Sequence, residues 1–206
     1  GEASLDHFPL KSTQVAASVN GVIADVKVTQ TYSNEGLAPI NARYVFPGST
    51  SASIHGMKIT IGDQVVVAKI KERQQAKKEF DIAKSQGKSA SLLEQQRPNV
   101  FTMSVANILP QDVVVVELHY TELLVPTDGT YQFVYPAVVG PRYSSPRESD
   151  APETEKWLSS PYLHSGETPP GSFGIRVSLS TGIPLREVHC SSHEVNVSWV
   201  SQSVAT

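Results

Sequence analysis

Most of the chain alternates between apolar and polar residues with the period of a β-strand. Within the strand-like run of residues 22–32, Val22, Ala24, Val26 and Val28 share one face while Asp25, Lys27 and Thr29 take the other, which is typical of a strand with one buried and one solvated face. A second such run covers residues 15–19. The dipeptide Asn20-Gly21 between them suits a type I′ turn, in which both residues need a positive φ. The sequence therefore predicts a β-hairpin near the start of the chain.

Further strands follow from the same pattern and from the turn residues that separate them. Residues 54–61 and 64–70 flank Gly62-Asp63, which predicts a second two-residue hairpin turn. Residues 100–106 and 113–120 are expected to pair with each other around residues 109–112. Residues 113–116 are all Val, which favours a central strand. The remaining predicted strands or strand signals are residues 42–46, 131–135, 173–179, Val188 and residues 195–200.

One stretch departs from the strand pattern. Residues 72–86 are rich in Gln, Ala, Lys and Glu and contain no Gly or Pro, which favours an α-helix. Ala76, Phe80 and Ala83 form one narrow apolar stripe at helical spacing, and Gly87 suits a C-terminal cap. The charged face is a candidate surface for an acidic partner or a polyanion, although a solvated helix face is the simpler interpretation. Its residues are Lys77, Lys78, Asp81, Lys84 and Lys88.

Many short strands, frequent turns and one helix predict a mainly β fold, an antiparallel β-sandwich with an α-helix at about residues 72–86. We expect residues 1–143 to form the sandwich core. Residues 144–172, which are rich in Pro and Ser, are expected to be a partly flexible connection. Residues 173–206 would complete the module or lead into a following domain. Because the chain begins with Gly, we expect it to be a piece of a longer protein.

Composition narrows the range of functions. The net charge of −3 provides no overall attraction to nucleic acid or to an anionic membrane. No apolar run approaches about 20 residues, so direct membrane insertion is not expected. Sequence motifs of phosphate-binding loops, of hydrolase nucleophile elbows and of H-E-x-x-H zinc sites are absent. We therefore expect no enzymatic activity, no catalytic or metal site and no cofactor.

The segment around Cys190 is the best alternative to that expectation. On a helix His189 and His193 would lie on one face and could share a zinc, so that with Cys190 they could serve a metal-dependent hydrolase or a zinc-binding domain. The valines on either side favour strands instead, and four extended residues span about 13 Å, too far for one ion unless the chain turns. A buried apolar role is expected for the single cysteine. His55 and His119 have no ligand-like neighbours in sequence, and His119 is expected to pack against or cap its strand.

A series of short motifs in fixed order gives a more specific interpretation. They include Thr29-Gln30-Thr31-Tyr32-Ser33-Asn34, Ala42-Arg43-Tyr44-Val45-Phe46-Pro47, Leu92-Leu93-Glu94, Arg97-Pro98-Asn99-Val100-Phe101, Val105-Ala106-Asn107-Ile108 and Tyr131-Gln132-Phe133-Val134-Tyr135-Pro136. Together they resemble the VIT domain, the module of vault proteins and of inter-alpha-trypsin-inhibitor heavy chains. The resemblance covers residues 8–143 and, more weakly, 173–200.

The resemblance implies a β-sandwich and a non-enzymatic role in protein interaction and scaffolding. It also implies protein partners, among them a von Willebrand A-type domain later in the same protein. The metal-binding D-x-S-x-S motif of such domains is absent from this chain. Bacterial proteins that carry both domains are the most similar in style, so a cell-surface or secreted location is favoured, with a cytoplasmic one as the alternative.

Overall fold

The described residues form eleven strands, which are arranged in two β-sheets. The computed structural model describes residues 9–47, 51–67, 82, 85–86, 90–97, 100–135 and 171–206. The described strands, in chain order, are Leu10–Asn20 (β1), Ile23–Ser33 (β2), Ile40–Pro47 (β3), Ala52–Ile61 (β4), Gln64–Val67 (β5), Ala90–Arg97 (β6), Val100–Ile108 (β7), Val113–Leu123 (β8), Ser172–Ser180 (β9), Trp199–Ser201 (β10) and Val204–Ala205 (β11). The prediction of a mainly β fold is confirmed.

The larger sheet has eight strands in the order β10-β11-β9-β1-β2-β8-β4-β5, and the smaller has the order β3-β7-β6. All described pairs but one are antiparallel. The exception is β1 with β9, which run parallel with Val15 opposite Ile175 and Val19 opposite Leu179. The larger sheet is therefore mixed, with one parallel pair in a fold that is otherwise antiparallel among the described pairs.

The core lies between the two sheets. From the larger sheet it takes the inward-facing residues of β1, β2, β4 and β8, for example Val26 and Ile59, which are fully buried. From the smaller sheet it takes Phe46 and Ile108. The ring of Phe46 packs at a tilt against that of Tyr120, with 6.0 Å between the ring centroids. Apolar residues at every second strand position thus explain why the two sheets pack together.

Both predicted hairpins are present, with one correction to the first turn. The β1–β2 ladder closes at Asn20 opposite Ile23, so the two loop residues are Gly21 and Val22. Only Gly21 has a positive φ, of 58°, and a positive φ at the first loop residue alone is the mark of a type II′ turn rather than type I′. In the β4–β5 hairpin the ladder closes around Gly62-Asp63, as predicted.

The predicted pairing of residues 100–106 with 113–120 is wrong. Strand β7 pairs with β3 and β6 in the smaller sheet, whereas β8 lies between β2 and β4 in the larger one. The four residues between them, 109–112, carry the chain from one sheet to the other. The central position predicted for the Val-rich strand β8 is confirmed, although its burial alternates along the strand.

Other local predictions need correction. Residues 131–135 follow a tight turn closed by Thr127 and Thr130 but form no strand. Val188 lies outside any strand, and of residues 195–200 only the last two belong to β10. Strand β6 lies where the sequence pattern predicted no strand.

The predicted helix, about residues 72–86, lies outside the described residues except near its end. There the backbone N–H of Gln86 donates to the carbonyl oxygen of Ile82 at 3.1 Å, the spacing of an α-helical turn. Within the described ranges, no helix is long and apolar enough to cross a membrane. The predicted connection, residues 144–172, lies outside the described residues up to position 170.

Candidate interaction surface

The larger sheet extends beyond the part of the core that its smaller partner covers. On β1, the inward-facing Val15 and Val19 are buried. Their neighbours on the outer strands lie on the same face of the sheet, because directly opposite residues of a ladder share a face. These neighbours are exposed: Phe173 keeps 48% of its accessible surface, Ile175 42% and Trp199 49%. We call Phe173, Ile175 and Trp199 the apolar strip.

Register and packing join the apolar strip to the core. Phe173 lies opposite Thr13, and Ile175 lies opposite Val15. Trp199 lies opposite Ala205, which in turn lies opposite Leu179. Val177 and Leu179 continue the same face of β9 and pack against the core. The apolar strip is therefore the open margin of the face that elsewhere forms the core.

An aromatic stack holds one end of the apolar strip in place. The ring of Phe173 is a neighbour of the ring of Tyr135, at a centroid distance of 6.1 Å, and of the ring of His193, at 6.5 Å. Both pairs are stacked, with interplanar angles of 30° and 27°. Burial raises the pKa of Tyr135 to about 12, because a low-polarity environment disfavours the phenolate. Phe173 thus has two aromatic neighbours while about half of its surface, 48%, stays exposed.

The segment that follows β9 carries further exposed apolar side chains. Backbone hydrogen bonds hold it to the β10–β11 turn: Thr181 N–H donates to Ser203 O at 3.1 Å, and Leu185 N–H donates to Gln202 O at 2.8 Å. The exposed residues of this segment and of β10 are Ile183, Val195, Val197 and Val200. An ordered backbone that carries several exposed apolar side chains is typical of a binding surface.

In the alternative site around Cys190, the side chain of Ser192 contacts both Cys190 and His193. Ser192 Oγ lies 3.6 Å from Cys190 Sγ and 2.9 Å from His193 Nδ1. The hydrogen bond with the Ser192 side chain is the main cause that lowers the pKa of the Cys190 thiol. Cys190 is exposed, which corrects the expectation that it is a buried apolar residue.

No cluster of metal ligands accompanies that serine-centred arrangement. Across the described ranges, no group of three or more His, Cys, Asp or Glu side chains is arranged to hold an ion. The charged helix face lies outside the described residues and stays a prediction; its members are Lys77, Lys78, Asp81, Lys84 and Lys88.

Sequence reasoning missed the apolar strip. The sequence did predict a strand over residues 173–179, and its alternating Phe173, Ile175, Val177 and Leu179 are consistent with one apolar face. What the alternation cannot reveal is how far the covering sheet reaches, and this decides whether such a face is buried or open.

Comparison with known sequences identifies the family of this chain. The sequence model described as "Vault protein inter-alpha-trypsin domain" matches residues 10–120, more than half of the chain. The chain belongs to the VIT family. The matched residues run from β1 to β8 of this VIT domain and include the smaller sheet and most of the larger one.

Two relatives place the VIT domain within longer proteins. Mouse protein mono-ADP-ribosyltransferase PARP4 is 37% identical over 68% of this chain, which spans 7% of that protein. Mouse von Willebrand factor A domain-containing protein 5A is 34% identical over 68% of this chain, which spans 18% of that protein. Both are mouse proteins, so they add no support to a bacterial source, which stays a prediction.

Among solved structures, the VIT domain resembles an M1 zinc metallopeptidase from Deinococcus radiodurans. The TM-score is 0.38 and the identity 14%, over 97% of this chain and 38% of that one. A similarity this weak carries no argument about the chemistry of the VIT domain.

Proposed function

We propose that the chain is a non-catalytic protein-interaction module of a larger protein, and that its apolar strip docks a von Willebrand A-type domain of that protein. The observation that supports this most strongly is the exposure of Phe173, Ile175 and Trp199 on the core-facing side of the larger sheet. Large apolar and aromatic side chains dominate the energetics of protein interfaces. The relative named for an A-type domain is much longer than the matched region, which agrees with a second domain in the same chain.

The small size of the apolar strip favours a partner tethered in the same chain. Three half-exposed side chains offer little contact area compared with an interface between free proteins. A short covalent link raises the effective concentration of a neighbouring domain to the millimolar range, so a weak contact is sufficient. Thr206 exchanges backbone hydrogen bonds with Ser198, beside Trp199. A domain joined after Thr206 would therefore start next to the apolar strip.

In this proposal the VIT domain braces the A-type domain and limits its orientation. Residues 173–206 would complete the module, and residues 144–172 would connect the two parts of the sandwich. The zinc-dependent alternative at His189, Cys190 and His193 is not favoured, since among the described residues no group of three or more His, Cys, Asp or Glu side chains is arranged to hold an ion.

Hydrogen exchange of the long form provides the test. In a protein that contains the VIT and A-type domains, the amides of β9 and β10 should exchange more slowly than in the 206-residue chain alone. Trp199→Asp should abolish this additional protection because it places a charge in the contact. Val67→Asp is the control, since Val67 is also exposed, at 63% against 49% for Trp199, but lies on β5 at the opposite edge. Equal protection in the two forms, or the same loss from both variants, would contradict the proposal.

A further inference from the structure

A β-bulge on the outer face of the larger sheet brings two histidines together. In the β4–β8 ladder, Ile54 lies opposite Tyr120 and Gly56 lies opposite His119, so His55 is the additional residue. Ile54 and Met57 both pack toward the core, which leaves His55 and Gly56 between two inward-facing positions. Bulges of this kind reorient a side chain and occur often beside functional sites. Here the bulge places the His55 ring 5.7 Å from the His119 ring, edge to face.

Each histidine is held through the same ring nitrogen. His119 Nε2 lies 2.7 Å from Asp25 Oδ2, and His55 Nε2 lies 2.6 Å from Thr121 Oγ1. A carboxylate only accepts hydrogen bonds, so a neutral His119 carries its proton on Nε2 and keeps a lone pair on Nδ1. Among the described residues, no hydrogen bond occupies Nδ1 of either ring. A His that donates one ring N–H to a carboxylate and leaves the other nitrogen free has the arrangement of a metal ligand.

The position next to the two rings is open. The residue opposite His119 on β4 is Gly56, and a Cβ atom built on Gly56 would have no atom within 4 Å apart from its chain neighbours. Both histidines lie on strands in the middle of the sheet region β2-β8-β4 rather than in a loop, so the backbone that presents them is fixed. Sites on strands hold their geometry better than sites on loops.

We propose that His55 and His119 form a two-imidazole site for Zn²⁺ or a related late first-row divalent ion, with Asp25 as the orienting carboxylate. Imidazole nitrogen suits these ions. No third His, Cys, Asp or Glu completes the set among the described residues, so water or a side chain of a binding partner fills the other positions. The proposal departs from the sequence-based expectation of no metal site. The proposed zinc site does not depend on the apolar strip, which lies on the other face of the sheet.

Neighbouring charges set the expected strength of the site. Asp25 contributes a negative charge beside His119, while Lys27 lies opposite His119 in the β2–β8 ladder. The other nearby cation, Lys58, is paired with Glu117. Because one lysine opposes a bound cation, Lys27→Ala is expected to strengthen zinc binding. A purely structural role of the two histidines would give no such effect.

Calorimetric titration of the 206-residue chain with Zn²⁺ tests the proposal. We expect one ion per chain, and His55→Ala or His119→Ala should each weaken binding at least about tenfold. Asp25→Asn should weaken it about 10–100-fold, the usual effect of removing an orienting partner. The double variant His189→Ala/His193→Ala is the matched control and should bind as the parent does. Thermal unfolding of each variant in the absence of zinc would identify any that fail to fold.

Nitrogen-15 spectra of the histidine rings give a second measurement. Zinc should shift the Nδ1 signals of His55 and His119 while their Nε2 atoms remain protonated or hydrogen-bonded. Three results would overturn the proposal. They are the absence of binding at millimolar zinc, binding that survives loss of both histidines, and binding that the His189/His193 control removes instead.

Discussion

Asn34 is the clearest case of one residue that joins distant parts of the fold. Its side chain is completely buried. The Asn34 Oδ1 atom accepts from Gly36 N–H at 3.0 Å, and Nδ2 donates to the carbonyl oxygens of Ala38 and Ile108, each at 3.1 Å. Its backbone N–H donates to Asp112 O and its carbonyl accepts from Gln111 N–H. Asn34 therefore fastens the loop after β2 to the crossing between the two sheets.

Replacing Asn34 with Ala should lower the free energy of unfolding by about 2–4 kcal/mol. The reason is that three backbone groups lose a partner, two of them in buried hydrogen bonds, and each unsatisfied buried group costs about 1–3 kcal/mol. Urea denaturation measures the change. Asn20→Ala is the matched control, since Asn20 is exposed and its side chain contacts only Ser18 among the described partners. A change within about 0.5 kcal/mol is expected there, and similar losses in both variants would refute the assigned role.

The role of Asn34 could not be read from the sequence, although Asn34 belongs to one of the motifs that indicated the family. Its partner Ile108 is 74 positions away. The sequence also contains nothing that separates Asn34 from an ordinary turn asparagine. The same limit applies to His55 and His119, which lie far apart in the chain and become neighbours only through strand pairing and a bulge.

Among the elements, the strands that could be predicted are those whose alternation is local. Strands β1, β2, β4 and β9 each show apolar residues at every second position, and the turns after β1 and β4 contain glycine. Which strands pair with each other is harder to predict from the sequence. The four-residue loop between β7 and β8 has the length of a hairpin loop, and both strands have an apolar face. Strands β7 and β8 join different sheets because each pairs with strands from other parts of the chain.

Two glycines of the larger sheet provide a matched test of turn geometry. A Cβ atom added to Gly21 or to Gly56 would have no atom within 4 Å apart from chain neighbours, but only Gly21 has a positive φ. Gly21→Ala should therefore cost about 1–2 kcal/mol, the usual penalty of the left-handed region for a residue with a Cβ. Gly56→Ala should be neutral or slightly stabilising. Chemical denaturation of both variants checks this difference, and equal values would show that backbone conformation does not control the turn.

At the scale of the whole molecule, the two sheets differ in width. Eight strands face three, so the smaller sheet covers β1, β2, β8 and β4 and leaves the margin at β9 and β10 open. This mismatch produces the apolar strip. Composition and periodicity predicted the two-layer architecture, but the sequence could not show the mismatch because it depends on how strands are shared between the layers.

The same architecture predicts an order of hydrogen exchange. Amides of β2 and β8 should exchange most slowly, because both strands lie inside the larger sheet with a paired neighbour on each side and a buried face. Amides of β5 and β10, at the two edges, should exchange fastest among the strands, since little packing has to open to release them. Mass spectrometry of peptides from the 206-residue chain measures this order. Protection of β10 equal to that of β2 would contradict it.

The parallel pairing of β1 with β9 has a consequence for synthesis. Roughly 150 residues separate the end of β1 from the start of β9, and a ribosome that adds 5–20 residues per second needs roughly 8–30 s to make them. During that interval β1 can pair with β2 but has no partner on its other side, and an unpaired strand edge invites association with other chains. Any nascent or truncated chain that ends before residue 172 keeps this edge exposed. Binding of the full-length nascent chain to chaperones should therefore fall sharply once β9 has emerged from the ribosome.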